Sequence, residues 1–147
     1  MSDDLIVYDK AKWHYDGEDY PDDLSEDNAY THGGFYLAWL VDNDLTSAEF
    51  QEDEKTTIAD YRRSYIKPSA FFEIVDGVLA SDMLSEKGNA FTEYYYADLF
   101  FDDYELLFED ADSPYHVRDT KKNYKLVSRM IDEAYEEWEE QEKQSAG

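Results

Sequence analysis

The chain has 147 residues, with 37 acidic and 13 basic side chains, so its formal net charge is −24 at pH 7 with neutral histidines. This charge excludes an ordinary nucleic-acid binder, because phosphate recognition needs a basic face, and it disfavours docking on an anionic membrane. The absence of cysteine excludes disulfides, cysteine-ligated zinc and thiolate catalysis, while 42% hydrophobic and 17% aromatic residues are enough for one packed domain over residues 1–147.

The first 29 residues are predicted to be largely irregular. Turn signals occur at Asp16-Gly17 and at Tyr20-Pro21, and only Leu5 to Tyr8 has the pattern of a short strand. The start of the chain lacks the basic and apolar regions of a signal peptide. The longest apolar run, Phe35 to Val41, is far shorter than the roughly 20 residues that span a bilayer. We therefore expect a cytoplasmic protein.

A central helix is predicted from about residue 32 to residue 43. Thr31 offers a hydroxyl near its start, and Asp42-Asn43-Asp44 ends it. The residues from Phe35 to Val41 leave no polar face, which indicates a helix buried on all sides.

Three further helical regions have recognisable start signals. Thr46 or Ser47 can cap the first, Pro68 suits the first turn of a short second helix that ends at Gly77, and Ser85 can cap the third. The pattern from Phe100 to Phe108 interleaves apolar and acidic residues and also favours a helix. After Ser113-Pro114, Tyr115 to Val117 is predicted to be extended.

The last helix has the clearest periodicity. It is predicted from Thr120 to about Glu142 with Asp119 as its cap, and residues 143–147 are expected to fray. Its apolar stripe consists of Tyr124, Val127, Ile131, Ala134, Tyr135 and Trp138. The sequence thus predicts a mainly α, single compact domain of five or six helices around a buried central helix, with at most one or two short strands.

The acidic residues are concentrated in three regions. Seven lie between Asp16 and Asp27 and seven between Asp98 and Asp112, with no basic residue in either stretch. The last helix ends in an acidic run, where negative charges oppose the helix dipole. Repulsion of this kind destabilises a fold. The concentration of acidic residues is explained either by solubility and adaptation to high salt, or by attraction of a basic partner.

Tyrosine favours the second explanation, because many of the 14 tyrosines stand beside acidic residues and such pairs suit protein interfaces. The residues predicted to contact a partner come from the second and first acidic stretches. They are Asp98, Asp102, Asp103, Tyr104, Glu105 and Glu109, followed by Asp16, Glu18 and Asp19.

Signals for catalysis are weak. His14, His32 and His116 lie in three separate segments, and their spacing matches no zinc signature. Asp42-Asn43-Asp44 resembles the start of a calcium loop, but Ser47 stands where that loop needs glycine. We therefore predict no enzyme, no cofactor and no metal site. A small metal-dependent enzyme that uses the three histidines and nearby aspartates is the least favoured alternative.

Two motifs resemble a bacterial family of small uncharacterised domains. They are Tyr8-Asp9-Lys10-Ala11-Lys12-Trp13-His14 and Thr31-His32-Gly33-Gly34-Phe35-Tyr36-Leu37-Ala38-Trp39, and similar segments follow as far as Tyr124. The sequence differs from the family pattern at Tyr20, where phenylalanine is usual, and at Gly33, where an apolar residue is usual. The resemblance implies no activity. Small acidic proteins of this kind are similar, by analogy, to immunity proteins of bacterial toxin systems.

The leading hypothesis is an immunity protein that binds a cognate protein toxin stoichiometrically and occludes its basic active-site cleft. The toxin would be a nuclease or a nucleotide-using enzyme, with neither nucleic acid nor membrane as a direct partner. The alternative is an acidic regulatory module for a basic protein outside toxin systems.

Overall fold

The computed structural model describes residues 5–146, and the side chains of residues 5–96 and 98–145. This range contains eight α-helices: α1 Ala11–Tyr15, α2 Thr31–Asp42, α3 Ala48–Asp53, α4 Lys55–Arg62, α5 Pro68–Ile74, α6 Glu86–Tyr95, α7 Phe101–Leu107 and α8 Lys121–Ala146. Strands β1 Val7–Lys10 and β2 Val78–Ala80 pair antiparallel. The mainly α single domain with short strands is therefore confirmed, and the helices outnumber the predicted five or six because several are short.

Helix α2 is the centre of the core, as its composition predicted. All residues from Thr31 to Val41 are buried, and α5 is its principal neighbour. Gly34 makes this packing possible, because a Cβ there would lie only 2.5 Å from the carbonyl oxygen of Pro68. A residue larger than glycine would therefore push the two helices apart.

Helices α6 and α7 are joined without a loop. One π-helical turn, Tyr96–Phe100, connects them, and Ser85 caps α6 by accepting a hydrogen bond from the amide of Gly88. Tyr95, Tyr96 and Phe100 point into the core. The predicted helix over 100–108 is thus real, and it continues an element that begins further upstream.

Helix α8 covers the core with its apolar stripe. Val127, Ile131 and Trp138 are buried, while the acidic residues between them face solvent. The helix continues through Ala146, so residues 143–146 of the predicted frayed tail are helical, and Gly147 lies outside the described residues. None of the described helices combines the length and the apolar character needed to cross a membrane.

The cap predicted for α8 serves another helix. The carboxylate of Asp119 accepts a hydrogen bond from the amide of Ser69 at 2.8 Å and so caps the first turn of α5. The hydroxyl of Thr120 caps α8 instead, accepting from the amide of Asn123 at 3.1 Å. The sequence places both residues correctly near a helix start, but a tertiary contact decides which helix each one caps.

Residues 5–29 are more ordered than the irregular structure predicted over residues 1–29, of which residues 1–4 lie outside the described part of the chain. Strand β1 begins two residues later than predicted and leads directly into α1, and a 3-10 helix covers Glu26–Tyr30. Strand β1 forms because β2 offers it hydrogen-bonding partners about 70 residues away, with Asp9 opposite Leu79. The segment predicted as extended near Tyr115 is also a 3-10 helix, Pro114–His116.

Candidate functional site

The candidate site is centred on Asp9, a buried acidic residue near the end of β1. Its exposed fraction is 7%. The sheet register is irregular between Val7 and Asp9, next to the point where the strand turns into α1. A carboxylate is rarely buried unless it has partners, and two histidines supply them.

His14 from α1 and His32 from α2 meet at this carboxylate. The Nε2 atom of His14 lies 2.8 Å from Oδ1 and 3.0 Å from Oδ2 of Asp9, and Nε2 of His32 lies 3.3 Å from Oδ2. The two Nε2 atoms are 3.1 Å apart. Three side chains from β1, α1 and α2 therefore direct their polar atoms at one point.

Further groups hold these side chains in place. The hydroxyl of Tyr96 donates to Oδ2 of Asp9 at 2.5 Å, and the amide of Lys10 donates to Oδ1 at 2.8 Å. The Nδ1 atom of His14 lies 2.7 Å from the hydroxyl of Tyr115. Groups outside Asp9, His14 and His32 thus fix the carboxylate of Asp9 and the ring of His14.

The electrostatics favour an ionised carboxylate beside a neutral imidazole. Burial raises the pKa of Asp9, but hydrogen bonds and charge interactions with His14 and His32 together lower it well below its usual range. Burial lowers the pKa of His32, against the opposing effect of Asp9. An anionic carboxylate and a neutral imidazole are the forms in which these groups bind metal ions.

The geometry suits a metal ion. The ligand atoms of Asp9, His14 and His32 all lie within 4.8 Å of one another, and no other group of three such residues is found in the described part of the chain. Atoms bound to a tetrahedral zinc ion at about 2.0–2.1 Å lie about 3.3 Å from each other. The observed separations of 2.8 to 3.3 Å need only a small outward movement to admit such an ion.

We define as the acidic rim three exposed residues of the first and second acidic stretches, Asp19, Asp23 and Glu105. Burial raises the pKa of Tyr115 to about 12, and the nearby charges of Glu105 and Asp19 contribute to the shift. Asp23 lies 3.0 Å from the neighbouring His116. Charges from the first and second acidic stretches therefore act on Tyr115, whose ring packs against Tyr20 with centroids 4.9 Å apart.

Comparison with known proteins identifies a family. A family model described as Domain of unknown function (DUF7832) matches residues 7–117. The chain belongs to this family. The DUF7832 match includes Asp9, both clustered histidines and Tyr115, and it ends before α8. Comparison with curated proteins and with solved structures yields no match.

Most residues predicted to bind a partner lie on the surface of this DUF7832 protein. Asp16, Glu18, Asp19, Asp98, Asp102, Glu105 and Glu109 are exposed, and Asp103 is half-buried and accepts a hydrogen bond from Tyr95 at 2.9 Å. Tyr104 does not fit the prediction, because it is fully buried and cannot contact a partner. Its position in α7 faces the core rather than the acidic surface.

The site of the DUF7832 protein also differs from the histidine set considered from the sequence. His116 lies outside the cluster, where Nδ1 is 2.7 Å from Ser113 and Nε2 faces Asp23. Asp9 was not singled out as a ligand, although it precedes His14 by only five residues in the first motif. Local zinc signatures do not reveal the site because His32 joins it through the packing of α2.

Proposed function

We propose that this DUF7832 protein binds one divalent transition-metal ion through Asp9, His14 and His32. The observation that carries the proposal is the 3.1 Å separation of the two Nε2 atoms beside one buried carboxylate. Both Nε2 atoms also face the oxygens of Asp9, so three groups of the types that bind metal ions converge on one point. A metal ion satisfies all three groups at once.

The donor set favours a transition metal over calcium or magnesium. Ca²⁺ and Mg²⁺ prefer oxygen ligands, whereas two imidazole nitrogens and one carboxylate suit zinc and its first-row neighbours. Zinc is the reference ion for the test below. With three protein ligands, a tetrahedral ion keeps one position for water or a substrate, which also suits the small metal-dependent enzyme considered from the sequence.

The surroundings support this proposal. Histidine ligands usually engage their second ring nitrogen with a fixed partner, and Nδ1 of His14 meets the hydroxyl of Tyr115 at 2.7 Å. Tyr96 and the amide of Lys10 orient the carboxylate in the same way. The side chain of His14 is 19% exposed, so the cluster is not fully sealed from solvent.

The test is zinc binding by chelator-treated protein. We expect one zinc ion per chain by elemental analysis after dialysis, measured with excess Mg²⁺ and 0.15 M salt so that the many surface carboxylates do not contribute. Replacement of zinc by cobalt should give the visible absorption of a tetrahedral Co²⁺ site. Loading should also raise the melting temperature, because the ion binds the folded chain preferentially.

Two single-histidine variants provide the matched comparison. His14→Gln should weaken zinc binding at least a hundredfold, because it removes a ligand that is partly exposed and need not disturb the core. His116→Gln changes the third histidine, outside the cluster, and should bind zinc like the wild type. Equal affinity in the two variants, or no stoichiometric zinc in the wild type, would mean that a shared proton holds the cluster together.

The second candidate is the immunity function, which the convergence of the two acidic stretches on Tyr115 favours. The exposed leucines of the same region, Leu99 at 41% and Leu106 at 68%, add apolar area beside the carboxylates. Carboxylates steer a basic partner to the surface, and apolar side chains then hold it. The proposed partner is a protein toxin with a basic active-site cleft.

Paired charge reversals test this candidate. Asp102→Lys with Glu105→Lys changes the exposed acidic surface, and Glu136→Lys with Glu140→Lys makes the same change on α8. Affinity capture from the host lysate should give one protein that the first variant loses and the second retains. That protein should stop growth when expressed alone and should be neutralised by co-expression of the wild-type chain. A captured protein without such toxicity would instead fit a regulatory module.

A further inference from the structure

The basic residues of this acidic protein are concentrated in one region. Nine of the 13 come from two short segments, and they are Lys55, Arg62, Arg63, Lys67, Arg118, Lys121, Lys122, Lys125 and Arg129. The fold brings these segments together, because the chain after α4 and the start of α8 line the same cleft. The acidic rim and the metal ligands take no part in this lining.

The cleft has the size of a small-molecule site. Its volume is about 620 Å³, within the range of about 300–1,000 Å³ that is typical of ligand pockets. Four cations line it, and they are Arg62, Lys67, Lys121 and Lys125. Ile66 and Pro68 add apolar lining to the cleft, and Tyr61 and Tyr124 add aromatic lining.

The two carboxylates in the cleft are already engaged. Asp42 accepts hydrogen bonds from the hydroxyls of Tyr61 at 3.0 Å and Tyr124 at 2.5 Å, which fixes both rings. Asp119 caps α5 through the amide of Ser69. Both carboxylates therefore accept from neutral donors and keep their charge, which leaves the cleft with four cations against two anions.

The cations, in contrast, have almost no acidic partners. Within the described residues, Lys67, Lys121 and Lys125 form no ion pair, and Arg62 approaches only Asp44, at 3.8 Å. In a chain with nearly three acids for every base, a cluster of unpaired cations is unexpected. Lys121 also stands at the start of α8, where the positive end of the helix dipole makes a cation unfavourable and an anion favourable.

These observations define the chemistry of a ligand. Lysine and arginine are the usual partners of phosphate, and aromatic rings beside an apolar wall suit a planar base. The strongly negative remainder of the surface repels a long polyanion, so the anion must be small enough to lie within the cleft. We infer that the cleft between α4 and α8 is a binding site for a free mononucleotide, with the phosphate on Arg62, Lys121 and Lys125 and the base against Tyr61 and Tyr124.

The test uses adenosine 5′-monophosphate and the full-length protein in 0.15 M salt, where the Debye length of about 8 Å screens the remote carboxylates. Calorimetry should give saturable binding of one nucleotide per chain. Adenosine and inorganic phosphate, measured separately, should each bind at least tenfold more weakly, because each carries only one half of the recognised chemistry.

A matched pair of variants distinguishes binding in the cleft from the effect of the protein's net charge. Lys121→Gln with Lys125→Gln removes two cations that line the cleft, and affinity should fall at least tenfold. Lys122→Gln with Arg129→Gln removes the same charge from the same helix outside the cleft, and affinity should change less than twofold. All four side chains are exposed, so both variants should fold, which circular dichroism will verify.

Three results would overturn the inference. The first is equal loss of affinity in the two variants, which would reduce the effect to net charge. The second is phosphate or adenosine binding as tightly as the nucleotide. The third is the absence of saturable nucleotide binding. Tighter binding of a single-stranded oligonucleotide would likewise exclude a free mononucleotide as the ligand. None of these results depends on whether the Asp9 cluster binds zinc.

Discussion

Gly34 in α2 lies directly against the backbone of Pro68 in α5. A Cβ atom on Gly34 would be 2.5 Å from the carbonyl oxygen of Pro68 and 2.7 Å from its carbonyl carbon. The two helices that form the largest contact in the protein therefore meet at backbone distance. His32, two residues earlier on α2, lies in the same buried helix, so this contact also helps to fix one of the proposed metal ligands.

Gly34→Ala should destabilise the protein by about 1–3 kcal/mol, as is typical of overpacking in a dense core. The added methyl group meets backbone atoms that cannot rotate away. Urea denaturation gives the free energy of unfolding. Gly17→Ala is the comparison, because Gly17 is exposed and its nearest contact would be 3.2 Å. Equal stability of Gly34→Ala and the wild type would contradict this packing.

Tyr104→Phe should leave stability unchanged or raise it by up to about 1 kcal/mol. The hydroxyl of Tyr104 is buried and has no hydrogen-bond partner among the described residues, so its removal ends a desolvation penalty. Tyr96→Phe deletes the same atom from another buried tyrosine, but there the hydroxyl donates to Asp9. Tyr96→Phe should lower the free energy of unfolding by about 1–3 kcal/mol. In thermal melts, the melting temperature of Tyr104→Phe should therefore equal or exceed that of the wild type, and that of Tyr96→Phe should be lower.

Asp132→Ala should cost about 1–3 kcal/mol, although Asp132 itself faces solvent. Its carboxylate accepts a hydrogen bond from Nε1 of Trp39 at 2.8 Å, and Trp39 is fully buried. Removal of the carboxylate leaves the Nε1–H group of Trp39 without its hydrogen-bond partner. Glu133→Ala removes a neighbouring exposed acid and should change stability by less than about 0.5 kcal/mol. Similar values for the two variants would show that the hydrogen bond adds nothing.

Alkaline pH should unfold the protein through its buried tyrosines. Burial raises the pKa of Tyr36, Tyr61 and Tyr95 above the usual value, whereas in the unfolded chain tyrosine ionises near pH 10. Their contribution to stability is therefore complete below about pH 10 and is lost as the pH rises towards the folded-state values. Tyrosinate absorbance and circular dichroism should change together. Ionisation of these tyrosines with unchanged circular dichroism would contradict their burial.

Much of the fold could be predicted from the sequence because its helices have strong local signals. The uniformly apolar run of α2 and the regular stripe of α8 each specify both a helix and the face it buries. Asp119 shows the limit, since a residue with the right chemistry for a cap serves α5, which is distant in sequence. Strand β1 was less visible because its partner β2 lies far along the chain.

The candidate site was harder to predict for a related reason. Its histidines were noticed, but only tertiary packing decides that His14 and His32 meet while His116 faces Asp23. The abundance of carboxylates concealed Asp9 among 37 acidic residues. Burial distinguishes Asp9 from the other acidic residues. That burial depends on the β1–β2 pairing and on Tyr96, and local periodicity specifies neither.

The pairing of β1 with β2 also determines the order in which the protein can mature on the ribosome. Strand β1 emerges before β2 and has no hydrogen-bonding partner until residues 78–80 have left the exit tunnel, and Asp9 lacks the Tyr96 hydroxyl for longer still. Nascent chains shorter than this therefore expose an unpaired strand beside a carboxylate with incomplete surroundings. The region around β1 is consequently completed only after residues much further along the chain have been translated.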